Sequence, residues 1–179
     1  MEQNFNFGLE NGERQKLEEI TKKKISNIVF NSFEDDWSKD TSVFDDKIKG
    51  KGDLLFLIED DKKNKFGGVY YGKVDKSGYW LKGDTSFIFS LVRNGELNPK
   101  IFLLKEGQAD NAFISCLTNN SYLFAFGNND TTKNSDIDVG KCGSKYNKCT
   151  PTRYTAQSGD LINGQTYTPK SIHVFQLSN

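Results

Sequence analysis

Residues 52–91 read GDLLFLIEDDKKNKFGGVYYGKVDKSGYWLKGDTSFIFSL. Leu54 to Ile58 is a continuous apolar block of strand length, bounded by Gly52-Asp53 before it and Asp60-Asp61-Lys62-Lys63-Asn64 after it. Such a block is the pattern of a strand buried on both faces. The charged run behind it cannot enter a core and is rich in turn formers, so it crosses the surface and returns the chain as Phe66 to Tyr71, the second arm of a hairpin. Gly67-Gly68 lies inside that second strand pattern, which marks a bulge or a place where another backbone or a bulky ring comes close. A glycine pair after a strand can also cradle phosphate. Here no GxGxxG or P-loop spacing follows and no helix start is signalled, which disfavours nucleotide binding.

Outward from this block, Tyr79 to Leu81, Phe87 to Val92, Ile101 to Leu104, Ala112 to Ser115, Tyr122 to Phe126, Ile137 to Val139 and Ile172 to Leu177 are short strand candidates separated by Gly, Asn and Asp clusters. Helical signals concentrate near the start. Leu17, Ile20, Lys24 and Ile28 recur at helical spacing within residues 13–28, with acidic side chains leading and lysines trailing, which predicts a helix of three or four turns. A second, short helix is expected over Ser42 to Lys49, with Asp40-Thr41-Ser42 supplying cap residues and Gly50 the stop. The expected fold is α+β: a β-rich, two-sheet antiparallel sandwich with flanking helices. The 179 residues suit one compact domain, with an N-terminal helical segment over 1–24 leading into the main domain over 25–179.

The order of these pieces resembles the TLDc domain, the module of the oxidation-resistance proteins. Ile28-Val29-Phe30-Asn31-Ser32 is similar to that family's early strand, Leu54-Leu55-Phe56-Leu57-Ile58 to its next one, and Lys65-Phe66-Gly67-Gly68 to its FGG signature. Gly83-Asp84-Thr85-Ser86-Phe87-Ile88-Phe89-Ser90-Leu91 is similar to its GD-FLFSL segment, and Lys170 to Phe175 stands where its closing strand stands. The resemblance spans about residues 25 to 177. Two departures are visible: Phe124 to Asp130 keeps one glycine where the family has a glycine-rich turn, and His173 replaces the acidic residue of the last strand. The motif residues Phe66, Gly67, Gly68, Gly83, Asp84, Phe87 and Phe89 are expected to be mainly structural.

Composition narrows the function. Basic and acidic side chains balance at 24 each, so attraction to nucleic acid or an anionic membrane needs a local patch. The 14 Phe and 7 Tyr against 3 Pro favour pleated, half-buried surfaces. No apolar stretch approaches the roughly 20 residues of a membrane span, and the polar start has no signal-peptide core, which predicts an intracellular, cytoplasmic or nuclear protein. Cys116, Cys142 and Cys149 read as free thiols.

Chemistry-bearing constellations are sparse. His173 is the one histidine, which argues against imidazole-built zinc sites; strand alternation places it with Phe175 and Leu177 on the more apolar face, as a buried, hydrogen-bonded group. Residues 128–148 are the most polar stretch and read as a long surface excursion. Asp130, Asp136 and Asp138 in it do not match the calcium-loop spacing. Cys142 and Cys149, with six residues between them and lysines around them, fall outside CxxC spacing and are the candidate redox thiols. Lys22, Lys23 and Lys24, with Lys141, Lys145 and Lys148, are the candidate phosphate contacts. No catalytic, cofactor-binding or metal-ligating residue is assigned.

The resemblance implies a non-enzymatic protein-interaction module of the oxidative-stress response, with subunits of a vacuolar proton-pumping ATPase as its partner. The alternative is a DNA-binding stress-response regulator that uses the lysine patches. An enzyme is the third reading, and no acid/base or nucleophile set supports it.

Overall fold

The computed structural model describes residues 8–179. Two antiparallel sheets dominate it. The larger is built from β1 (Lys24–Asn31), β2 (Leu54–Asp60), β3 (Lys65–Tyr70), β4 (Phe87–Arg93), β5 (Glu96–Leu103) and β9 (Pro169–Ser178), in the order β1-β9-β2-β3-β4-β5. The smaller has β6 (Phe113–Ser115), β7 (Tyr122–Phe126) and β8 (Ile137–Gly140), in that order. Helix α1 (Glu13–Thr21) lies against the large sheet, and α2 (Phe44–Ile48) is little more than one turn. The antiparallel sandwich with flanking helices expected from sequence is the architecture observed.

The quoted block explains the layering. In β2, alternate side chains enter two different cores. Leu54, Phe56 and Ile58 face the small sheet, while Leu55 and Leu57 face the outer layer beside Leu9 and Leu17. The strand is therefore buried on both faces, as its unbroken apolar run indicates. The chain's last strand, β9, pairs with both β1 and β2, so the C-terminal segment is inserted between them, one strand in from the edge. Between the sheets, the Phe56 ring packs on Phe113, Phe124 and Phe126 at centroid distances of 4.8, 5.0 and 5.5 Å.

The edge next to β5 is guarded. Pro99 lies within β5 and offers no N–H to a new strand, and Leu103 and Lys105 are covered by backbone hydrogen bonds to Thr155 and Arg153 at 2.9 Å each.

Three readings are corrected. The first helix ends at Thr21, and Lys24 to Asn31 is strand. The Thr21 hydroxyl donates to the Leu17 carbonyl, Lys22 turns the chain with φ 58°, and the β-branched residues beyond it gain a full antiparallel partner in β9, so sheet pairing overrides helical spacing. Tyr79 to Leu81 is a loop touching β6 through one bridge, Leu81 to Phe113. The second helix starts later than read, because the Ser42 hydroxyl accepts the Phe44 N–H at 3.2 Å and so holds 42–43 outside it; Gly50, at φ 80°, terminates it as expected.

Candidate functional site

Most of the motif residues are spent on packing. A Cβ on Gly67 would strike the carbonyl oxygen of Phe56 on β2, and one on Gly68 would stand 2.5 Å from the Phe126 ring. Both close approaches named as alternatives from sequence, a backbone and a bulky ring, occur side by side. Gly83 does the same against the Tyr70 ring, at 2.7 Å. Phe66, Phe87 and Phe89 are buried, whereas Asp84 is exposed in the turn before β4.

The polar segment 128–148 is a solvated excursion only in part: 130–133 and most of 142–146 are exposed, but 135–141 are buried. Asp136, Asp138 and Lys141 are 0%, 4% and 2% exposed. Short Asn, Asp and Ser side chains make this possible, because each satisfies backbone groups that burial would otherwise orphan. The Asp136 carboxylate accepts the N–H groups of Arg153 (3.0 and 3.1 Å) and Tyr154 (2.7 Å) and fills the space a Cβ at Gly127 would need. Asp138 accepts the N–H of Ser135 at 2.8 Å. Both carboxylates thus act as turn fasteners. Among the described residues no group of three or more His, Cys, Asp or Glu side chains could hold a metal ion.

Burial pushes the Asp136 carboxyl up to about 6, against the opposing backbone hydrogen bonds. A carboxyl whose pKa is higher folded than unfolded weakens the fold once ionised, so this destabilisation is present above about pH 6 and is relieved as pH falls toward 4. The stability advantage of the native chain over Asp136→Asn is therefore expected to widen by about 1 kcal/mol between pH 7 and pH 5, measured by urea midpoints. His173 titrates in both proteins and cancels in the difference. A gap constant over that range would refute a raised pKa.

Lys141 is corrected as a phosphate contact. Its ammonium donates to the carbonyls of Leu117 (3.0 Å), Asn120 (3.0 Å) and Tyr122 (2.8 Å), tying down the β6–β7 connection, and burial lowers its pKa. Lys148 is half-buried and bridges β8 through its backbone, while Lys145 is exposed. At the other patch, Lys24 pairs with Glu18 at 3.0 Å, Lys23 with Asp53 at 3.4 Å, and Lys22 is exposed. The six lysines thus divide into structural, paired and open ones.

The two candidate redox thiols also differ. Cys149 is buried, which raises its pKa well above the ordinary value and corrects its reading as a reactive thiol. Cys116 is likewise buried and pushed up to about 12. Cys142 is exposed on the loop 141–146, beside a groove of about 550 Å³ that reaches Trp37, Lys62 and Tyr167. His173 is buried as expected, stacked on Phe175 at 6.0 Å and next to Phe33, and burial lowers its pKa, which keeps the ring neutral at physiological pH.

The surface also carries exposed apolar side chains. Phe33 (70%), Tyr79 (63%), Leu103 (60%), Leu117 (48%) and Tyr146 (46%) are exposed, with Leu97 and Ile101 beside Leu103 on β5. Leu117 lies against Gly78, the residue before Tyr79, its Cγ 3.1 Å from a Cβ placed on that glycine, and Lys76 sits 4.9 Å over the Tyr79 ring. Sequence reasoning placed Tyr79 in a strand and left Leu117 unassigned; the Ser-Gly before Tyr79 was the available signal for a projecting loop. No helix among the described residues is long and apolar enough to cross a membrane.

The family model for the TLDc domain matches residues 13–178. No curated protein matches the chain.

Proposed function

Because this chain belongs to the TLDc domain family, we propose that it is a non-enzymatic interaction module whose partner is the vacuolar proton-pumping ATPase. The TLDc domain is tied to the oxidative-stress response, is of the protein-interaction type, and is generally non-enzymatic. The observation that carries an interaction reading is the disposition of the motif. Its aromatic and glycine positions are consumed by the core, so binding falls to projecting side chains, among them Tyr79 and, against the preceding Gly78, Leu117. Tyrosine is enriched among the residues that dominate binding energy at protein interfaces, and an apolar neighbour helps to exclude water around it.

The test is a pull-down of purified vacuolar ATPase peripheral subunits on the immobilised chain, with and without prior peroxide treatment. Stoichiometric capture that a Tyr79→Ala/Leu117→Ala variant reduces about tenfold or more is expected, each anchor contributing at least about 1 kcal/mol. Equal retention by the native chain and by an unrelated protein of the same charge would sink the proposal.

The DNA-binding reading rests on the lysines, and the burial of Lys141 and the pairing of Lys23 and Lys24 leave it less to work with. Duplex DNA is expected to bind weakly, with no preference among sequences and a steep loss of affinity on adding salt, because phosphate attraction carries no base readout. A gel-shift competition in which one sequence beats scrambled DNA several hundred-fold, and a Lys22→Ala/Lys23→Ala/Lys24→Ala variant loses that binding, would make gene regulation the better reading.

A further inference from the structure

We propose that α1 is a displaceable strap: residues 9–21 lift from the outer face of the large sheet as a unit while both sheets stay folded. The helix has nine residues, fewer than the roughly 12–15 that make an isolated helix even marginal in water. No side chain caps its N-terminus, and no basic residue stands in its last turn. A left-handed residue bounds it at each end, Gly12 (φ 84°) and Lys22 (φ 58°). Lys22 bears a Cβ, so its conformation is held by what surrounds it and relaxes on opening.

Leu9 and Leu17 are buried on the sheet, and Ile20 is half-buried. The seam's polar anchor is an ion pair: the Lys65 ammonium on β3 donates to both oxygens of Glu13, at 2.8 and 3.0 Å, with the two side chains 8% and 4% exposed. Parting a buried pair returns both charges to water, so it resists opening less than an apolar contact of the same size. Further bonds tie the helix to its surroundings: the Tyr71 hydroxyl donates to the Thr21 carbonyl and Arg14 to the Ile25 carbonyl, while Glu18 accepts the Ile25 N–H at 3.0 Å and pairs with Lys24 at 3.0 Å. Beneath, β2 and β9 are central strands paired on both sides, so lifting the strap breaks no sheet ladder.

Amide hydrogen exchange of the whole chain, followed by mass spectrometry, tests this. Amides of 13–21 are expected to exchange at least about 100-fold faster than those of β2 and β9, because they open locally. Replacing the ion pair with an apolar one, Glu13→Leu with Lys65→Met, is expected to slow exchange over 13–21 about tenfold or more and to leave β2 unchanged. Should that variant not fold, Leu17→Ala supplies the second readout: faster exchange in 9–21 alone. Protection of 13–21 equal to that of β2, a folded double variant with unaltered exchange there, or a Leu17→Ala chain loosened equally across the sheet would each overturn the strap.

Discussion

Phe56→Ala is expected to destabilise the protein by about 3–5 kcal/mol, a large share of the 5–15 kcal/mol by which domains of ordinary stability hold together. Phe56 is fully buried at the middle of β2, and its ring lies within 6.4 Å, centroid to centroid, of Phe44, Phe113, Phe124 and Phe126. Those four rings belong to α2 and the small sheet, so one truncation removes partners from the whole interface between layers. The void has no easy remedy, because the surrounding rings are themselves fixed by one another: Phe113 sits 5.0 Å from Phe126, and Phe44 stacks on Phe124 at 5.3 Å. Phe89 is equally buried on the other face, under the layer that carries α1. Its truncation is expected at the low end of the same range, since a strap can settle into a cavity where a sheet cannot. Thermal melts decide the matter: a shift of about 10 °C or more is expected for Phe56→Ala, and native-like melting would remove β2 from the centre of the fold.

How much of this was legible in the sequence depended on how local the determining interaction is. The double-faced burial of β2 was readable because it needs only a short run with no polar residue, and the glycine pair was readable because a missing side chain inside a strand already implies a neighbour. The course of 24–31 was not. Lys24 and Ile28 keep helical spacing with Leu17, yet their fate was set by β9, with Lys24 opposite Ser178 and Asn31 opposite His173, about 140–150 residues away.

The candidate site failed for a related reason. Lys141 and Asp136 look like solvated charges in a polar stretch, because polarity along the chain is a poor guide when the partners are backbone groups brought in from elsewhere. Lys141 reaches carbonyls 19 to 24 residues back, and Asp136 reaches amides 17 and 18 residues on. Arg93 makes the point most strongly. Its guanidinium donates to Asn64 Oδ1 at 3.0 Å, Asn163 Oδ1 at 2.6 Å and the Gly159 carbonyl at 2.6 Å, joining two hairpin turns to a loop some 70 residues on. No motif announces such a clamp, since asparagines and carbonyls serve it where a carboxylate partner would have been looked for.

Gly67→Ala should damage the fold more than Gly68→Ala, although the two residues are adjacent and chemically identical. The side chain of residue 67 would meet the Phe56 carbonyl oxygen, and next to it the Phe56 carbonyl carbon at 2.8 Å. That carbonyl belongs to β2, which is hydrogen-bonded to β3 on one side and β9 on the other, with both its faces packed. Backbone held from four directions cannot yield, so β3 must leave its register, at a cost of about 3 kcal/mol or more, beyond ordinary overpacking. At Gly68 the obstacle is the Phe126 ring, 2.5 Å away, and a ring can tilt at the expense of its neighbours, which places that cost at about 1–3 kcal/mol. The check is a pair of denaturant titrations with the native chain as reference. Gly67→Ala is expected to be insoluble or to unfold at distinctly lower urea than Gly68→Ala; the reverse order would mean that β2 and β3 do not approach as closely as their pairing requires.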